Sequence, residues 1–102
     1  MRATVLHGVG EPTVVEDLEL RRLGPHDVKV RIAASGLCHT DLSIIDGALP
    51  ALLPCTLGHE GAGIVTEVGS AVTSVEPGAR VVLTWNVACR TCFYCLRGQT
   101  YL

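Results

Sequence analysis

Apolar residues recur at alternate positions in short stretches, and each stretch closes on a cluster of glycine, proline or small polar residues. A repeat of two places successive side chains on opposite faces of an extended backbone, so short strands dominate this chain. The clearest stretch runs from Asp27 to Ala34, with Val28, Val30, Ile32 and Ala34 on one face and Lys29 and Arg31 on the other. Residues 2 to 7 predict a strand that ends at the turn cluster Gly8 to Pro12. Thr13 to Leu20 alternates poorly and predicts an edge strand, and Gly24-Pro25-His26-Asp27 predicts a turn. Gly58 to Val68 reads as a glycine-rich entry into a strand with Ala62, Ile64, Thr66 and Val68 on one side. Glu76-Pro77-Gly78 predicts a turn before a strand over Ala79 to Trp85, with Val81, Leu83 and Trp85 in phase. Thr40 to Asp46 breaks the alternation and predicts a short helix, N-capped by Thr40, with Asp41 near its positive end and Leu42 and Ile45 facing the core. Gly47 to Pro54 is a loop, and no periodicity follows Asn86. The predicted fold is mainly β: a small, partly open barrel with one short helix and a cysteine-rich loop.

The 102 residues support one domain, 1–102, with no internal repeat, linker or low-complexity tract. An apolar fraction of 48% against 18% charged residues marks a globular chain. Eight Lys and Arg against ten Asp and Glu leave a net charge of −2, which argues against a duplex-binding module. No apolar run reaches the ~18 residues of a membrane span. The opening Met1 to His7 turns to glycine and proline too early for a signal peptide. The expectation is a cytoplasmic protein with no nucleic-acid or membrane partner. The last residues, Gly98 to Leu102, complete no helix or strand, so the sequence reads as cut.

Of five cysteines, three fall in Cys89-Arg90-Thr91-Cys92-Phe93-Tyr94-Cys95. An odd count fits a disulfide framework poorly and fits metal chemistry in a reducing compartment better. Three thiols at three-residue spacing in a loop can wrap one ion, and zinc takes four thiolates tetrahedrally. A single CxxC would equally suit a redox pair. The bacterial iron–sulfur run needs a further Cys-Pro after three residues, whereas Gln99 and Thr100 follow here. Two further strings stand out. In Gly36-Leu37-Cys38-His39-Thr40-Asp41, Cys38 follows a strand and precedes a helix, a rigid place for a ligand, although a cysteine there also serves as a small buried hydrophobe. In Gly58-His59-Glu60-Gly61-Ala62-Gly63, a histidine sits beside an acid among glycines. Thiolate and imidazole together suit zinc. No G-x-G-x-x-G, P-loop or G-x-S-x-G is present, so the chain carries no dinucleotide fold of its own.

GLCHTD, then GHEGAG, then CxxCxxC, in that order, resemble the zinc-dependent alcohol dehydrogenases of the medium-chain dehydrogenase/reductase superfamily, over essentially the whole chain. The resemblance implies a GroES-like barrel forming the N-terminal part of a catalytic domain, with a Rossmann domain beyond it in a longer chain. It makes Cys38 and His59 ligands of a catalytic zinc, whose third protein ligand matches no position here. Glu60 corresponds to the acid behind that zinc, and Asp41 to the acid that orients the ligand histidine. Thr40 corresponds to the hydroxyl that takes the substrate proton, His39 to a basic contact for the coenzyme pyrophosphate, and Trp85 to a wall of the substrate pocket. For Trp85, plain core packing is the competing reading. Cys89, Cys92 and Cys95 become three ligands of a structural zinc whose fourth falls one position beyond Leu102. The implied chemistry is hydride exchange between an alcohol and NAD or NADP, with zinc as Lewis acid, in a homo-oligomer acting on a small alcohol, aldehyde or ketone. Many relatives end the proton relay in a histidine where this chain has Ser43, so water or a group outside these residues would finish it. Cys55 matches no ligand position and is expected to be buried and inert. A free-standing zinc-binding β-barrel without catalysis is the alternative. A zinc-free quinone reductase is disfavoured by Cys38, His59 and the cysteine triplet. The 102 residues alone are expected to be inactive.

Overall fold

A computed structural model of the chain describes residues 1–85 and 87–101; Asn86 and Leu102 lie outside the described residues. Six strands and two short helices follow one another: β1 (Arg2–Leu6), β2 (Val14–Asp17), β3 (Val28–Ser35), α1 (His39–Ile45), β4 (Cys55–Thr56), β5 (Gly61–Val68), β6 (Arg80–Val82) and α2 (Phe93–Leu96). They form two three-stranded sheets, ordered β2-β1-β4 and β3-β5-β6, so the barrel is not closed. All the pairings are antiparallel. β2 lies at a sheet edge, as its poor alternation predicts. The core is small: Val5 and Leu6 from one sheet and Val65 from the other are the buried hydrophobic residues among those described.

β3 begins and ends within one residue of its predicted bounds, but its alternation is interrupted. Register shifts fall between Lys29 and Val30 and between Ile32 and Ala34. Val28, Val30 and Ile32 still line one open groove of about 760 Å³. Ala33 faces the other side of the sheet, beside Ala62, Ile64 and Val82.

Five local expectations are corrected. In β5 the deeper side is Gly61, Gly63 and Val65, whereas Ala62, Ile64 and Val68 are half-buried and Thr66 is exposed. Glycine lets β5 lie close against its neighbours, so the buried face carries little side chain and the apolar pattern marks the shallower one. In α1 the buried residue is Asp41; Leu42 is exposed and Ile45 half-buried. The N-cap is Cys38, not Thr40: the Asp41 N–H donates to the Cys38 carbonyl oxygen at 3.1 Å, and the Cys38 N–H donates to the Asp41 carboxylate at 3.0 Å. β6 stops at Val82, and Trp85 is 77% exposed, so core packing of that ring is excluded. Cys55 is half-buried in β4, a two-residue strand against β1 that its sequence does not announce.

Candidate metal centres

The chain crosses from the second sheet to the first through residues 36 to 54 and returns through residues 57 to 60, and the first candidate site lies between these crossings. Cys38 leaves β3 and caps α1, while His59 and Glu60 enter β5. Gly58 has φ +100, a left-handed conformation that a side chain would strain, and this turns its N–H toward α1. There it donates to the Asp41 carboxylate at 3.1 Å. Asp41 is 1% exposed and thus holds both crossings, accepting from the Cys38 N–H on one and the Gly58 N–H on the other. Its Oδ1 also lies 3.6 Å from His59 Nδ1, too far for a hydrogen bond. A second tie joins the crossings where the Gly36 N–H donates to the Glu60 carbonyl at 3.0 Å.

One ligating atom from each of Cys38, His59 and Glu60 lies within 4.8 Å of the others. Cys38 and His59 are half-buried and Glu60 is exposed. A sulfur, an imidazole nitrogen and a carboxylate oxygen at that spacing form a donor set that fits zinc. The Thr40 hydroxyl sits beside it, 3.4 Å from the Cys38 sulfur and accepting from the thiol. His39 is exposed at the start of α1, and its Nδ1 meets the half-buried Ser43 hydroxyl at 3.3 Å. The sequence position that lacks a histidine thus supplies a hydroxyl to the preceding one, an i, i+4 contact that the helix period makes readable. Trp85 lies outside the cluster on the exposed segment after β6.

The cysteine lobe is separate. Arg90 adopts φ +60, which reverses the backbone immediately after Cys89. The Cys92 N–H then donates to Cys89 Sγ at 3.3 Å and the Cys95 N–H to Cys92 Sγ at 3.5 Å. Cys92 caps α2, a single turn that carries Cys95 back toward Cys89. Arg97 stacks 3.9 Å above the Phe93 ring, and Phe93 meets Tyr94 edge-on at 5.4 Å, closing the outer side of that turn. The Cys89, Cys92 and Cys95 sulfurs lie within 4.8 Å of one another, and all five cysteines of the chain are free thiols. Zinc–sulfur bonds of about 2.3 Å in a tetrahedron set neighbouring sulfurs about 3.8 Å apart. Cys89 and Cys95 are separated by 3.8 Å.

The thiols are electrostatically unequal. The Thr91 backbone N–H, the Thr91 hydroxyl and the Cys92 N–H favour the Cys89 thiolate and lower its pKa to about 6. For Cys95 the Arg90 N–H acts in the same sense, but the Cys92 and Cys89 sulfurs and partial desolvation outweigh it and raise that thiol. The sequence marks the three cysteines but gives no sign of Thr91, whose hydroxyl lies 3.6 Å from Cys89 Sγ because of the Arg90 reversal.

Among the described residues no helix is long and apolar enough to cross a membrane. The family model of the alcohol dehydrogenase GroES-like domain matches residues 24–102. The chain is 46% identical over 102 residues to S-(hydroxymethyl)glutathione dehydrogenase of Paracoccus denitrificans, covering 99% of this chain and 27% of that protein. It is 44% identical over 101 residues to the NDMA-dependent alcohol dehydrogenase of Amycolatopsis methanolica, covering 99% and 27%. The structure superposes on alcohol dehydrogenase TADH from Thermus sp. ATN1 with a TM-score of 0.87 and 37% identity, covering 99% of this chain and 29% of that one. The chain spans just over a quarter of the length of these relatives. The family match over most of the chain, on a fold of two antiparallel β-sheets, establishes that it belongs to the alcohol dehydrogenase GroES-like domain family.

Proposed function

We propose that these residues are the N-terminal, metal-carrying part of a zinc-dependent alcohol dehydrogenase that exchanges hydride between a small alcohol and NAD or NADP. The observation that carries the reading is the Cys38, His59 and Glu60 cluster, backed by the buried Asp41 and flanked by the Thr40 hydroxyl. Bound there, zinc supplies Lewis-acid polarisation of the substrate oxygen, and the nicotinamide supplies the hydride partner. Cys38 and His59 hold the metal, with Glu60 as the acid behind it. Asp41 fixes the approach of both ligand segments and lies beside the His59 ring. Thr40 Oγ1 accepts the alcohol proton, and His39, exposed at the start of α1, meets the coenzyme phosphates. Trp85, held outside the core, forms a wall of the substrate pocket. Cys89, Cys92 and Cys95 hold a second zinc whose role is structural.

The exposed surface supports a larger parent in which residues 1–102 are one part of the catalytic domain. Folded monomers of this mass expose about 5,500 Å², whereas this chain exposes 7887 Å². Its radius of gyration is 15.6 Å, against about 13 Å for a compact domain of this length. Val28, Ile32, Val82, Leu83 and Trp85 are among the apolar side chains left uncovered. The parent is read as a cytoplasmic homo-oligomer. The test compares the 102-residue chain with the parent expressed whole. The short chain, reduced and zinc-loaded, gives no turnover of primary alcohols with NAD or NADP. The parent does, and loses it on Cys38→Ser or His59→Ala. Alcohol oxidation by the parent that survives Cys38→Ser overturns the assignment.

A further inference from the structure

We infer that Thr91 is a positioning residue for the metal of the cysteine lobe: its hydroxyl donates to Cys89 Sγ and so strengthens zinc binding there. The inference rests on reading Cys89, Cys92 and Cys95 as zinc ligands. Several thiolates around one divalent ion leave net negative charge on sulfur, and donors aimed at those sulfurs reduce the cost of crowding them. Backbone N–H groups serve all three: Thr91 and Cys92 donate to Cys89, Cys95 to Cys92, and Arg90 to Cys95. Within the lobe, among the described residues, only Cys89 also receives a side-chain hydroxyl.

The placement of that hydroxyl follows from local structure. The left-handed turn at Arg90 folds residue 91 back over Cys89, and Cys92 then starts α2. Threonine is branched at Cβ and stiff at χ1, so its oxygen is set before metal arrives, while the hydroxyl hydrogen rotates freely to meet sulfur. Thr91 is exposed, and an exposed threonine elsewhere would simply hydrate. Here the oxygen stands 3.6 Å from a sulfur whose other donors are the Thr91 and Cys92 backbone amides, the latter at 3.3 Å.

Zinc affinity of the reduced chain, read by competition with a chromophoric chelator, tests this in three variants. Thr91→Val keeps the branched shape and deletes the donor, and it weakens zinc binding about tenfold. Thr91→Ser keeps the donor and stays within about twofold of the unaltered chain. Cobalt(II) in the same lobe gives a second readout. Its sulfur-to-metal charge-transfer band moves to lower energy in the Val variant and stays in place in the Ser variant, because an unsupported thiolate is a better electron donor. A Val variant that matches the unaltered chain in affinity and spectrum, while Cys92→Ser loses zinc, overturns the inference alone. Unchanged affinity in Cys92→Ser overturns the ligand assignment and the inference with it.

Discussion

Replacing Asp41 by alanine tests the load that one buried carboxylate carries. Its side chain accepts from two backbone amides on different segments, Cys38 at 3.0 Å and Gly58 at 3.1 Å, and is 1% exposed. A hydrogen bond to a charged group contributes about 1.5–3 kcal/mol net, so losing both costs about 3–6 kcal/mol. Removing the charge also removes its own desolvation penalty, which brings the expected loss to about 3 kcal/mol. In a domain of about 100 residues that lowers Tm by roughly 12–20 °C. Thermal unfolding followed by circular dichroism reads the total, and amide hydrogen exchange reads where it falls. The Cys38 and Gly58 amides should lose protection in Asp41→Ala before the amides that join β1 to β2. Asp41→Asn keeps one acceptor oxygen and turns an NH2 toward the other amide, so it falls between alanine and the unaltered chain. A drop in Tm below about 3 °C for Asp41→Ala, with both amides still protected, refutes the reasoning.

Two further outcomes follow from the structure. Gly63 is buried in β5, and a Cβ there would lie 2.9 Å from the Arg31 carbonyl carbon of β3. Since backbone cannot swing aside as a side chain does, Gly63→Ala should destabilise by about 2 kcal/mol or more, read as a lowered urea midpoint with unchanged slope. Cys89 in the metal-free, reduced chain should be alkylated by iodoacetamide at a rate that rises through about pH 6 and levels off by about pH 8, because only the thiolate reacts and its pKa is depressed to about 6. Cys95, raised, should still be gaining rate there, and peptide mapping separates the two.

The strand framework was legible where alternation and turn chemistry agreed. β3 between the Gly24–Asp27 turn and Gly36 is the clearest case. β4 was not, because two residues show no period and their pairing is set by Val5 and Leu6, far away in sequence. α2 is one turn long, too short for a repeat of 3.6 to register. The buried face of α1 does not follow its apolar spacing, because packing here serves a carboxylate and that spacing cannot announce a buried Asp41. An acid three residues after Cys38 was the available sign, since that spacing is the reciprocal capping pattern. The residues that the structure gathers into two candidate metal clusters were readable, because ligand chemistry restricts residue type more tightly than packing does. Their spatial neighbours, Thr91 above all, depend on backbone reversals such as the one at Arg90.

The two crossings that Asp41 joins are two of the covalent passages between the sheets, the other being residues 18 to 27. Cys38 stands on one and His59 on the other, so any sliding of one sheet past the other changes the distance between two ligating atoms. With an ion bound, the cluster would work as a rivet through a shear plane. An ion seated there would resist slippage of the whole fold, and conversely a load that shears the sheets would open the coordination set. Local chemistry and global rigidity share the same few atoms, and neither can be retuned without disturbing the other.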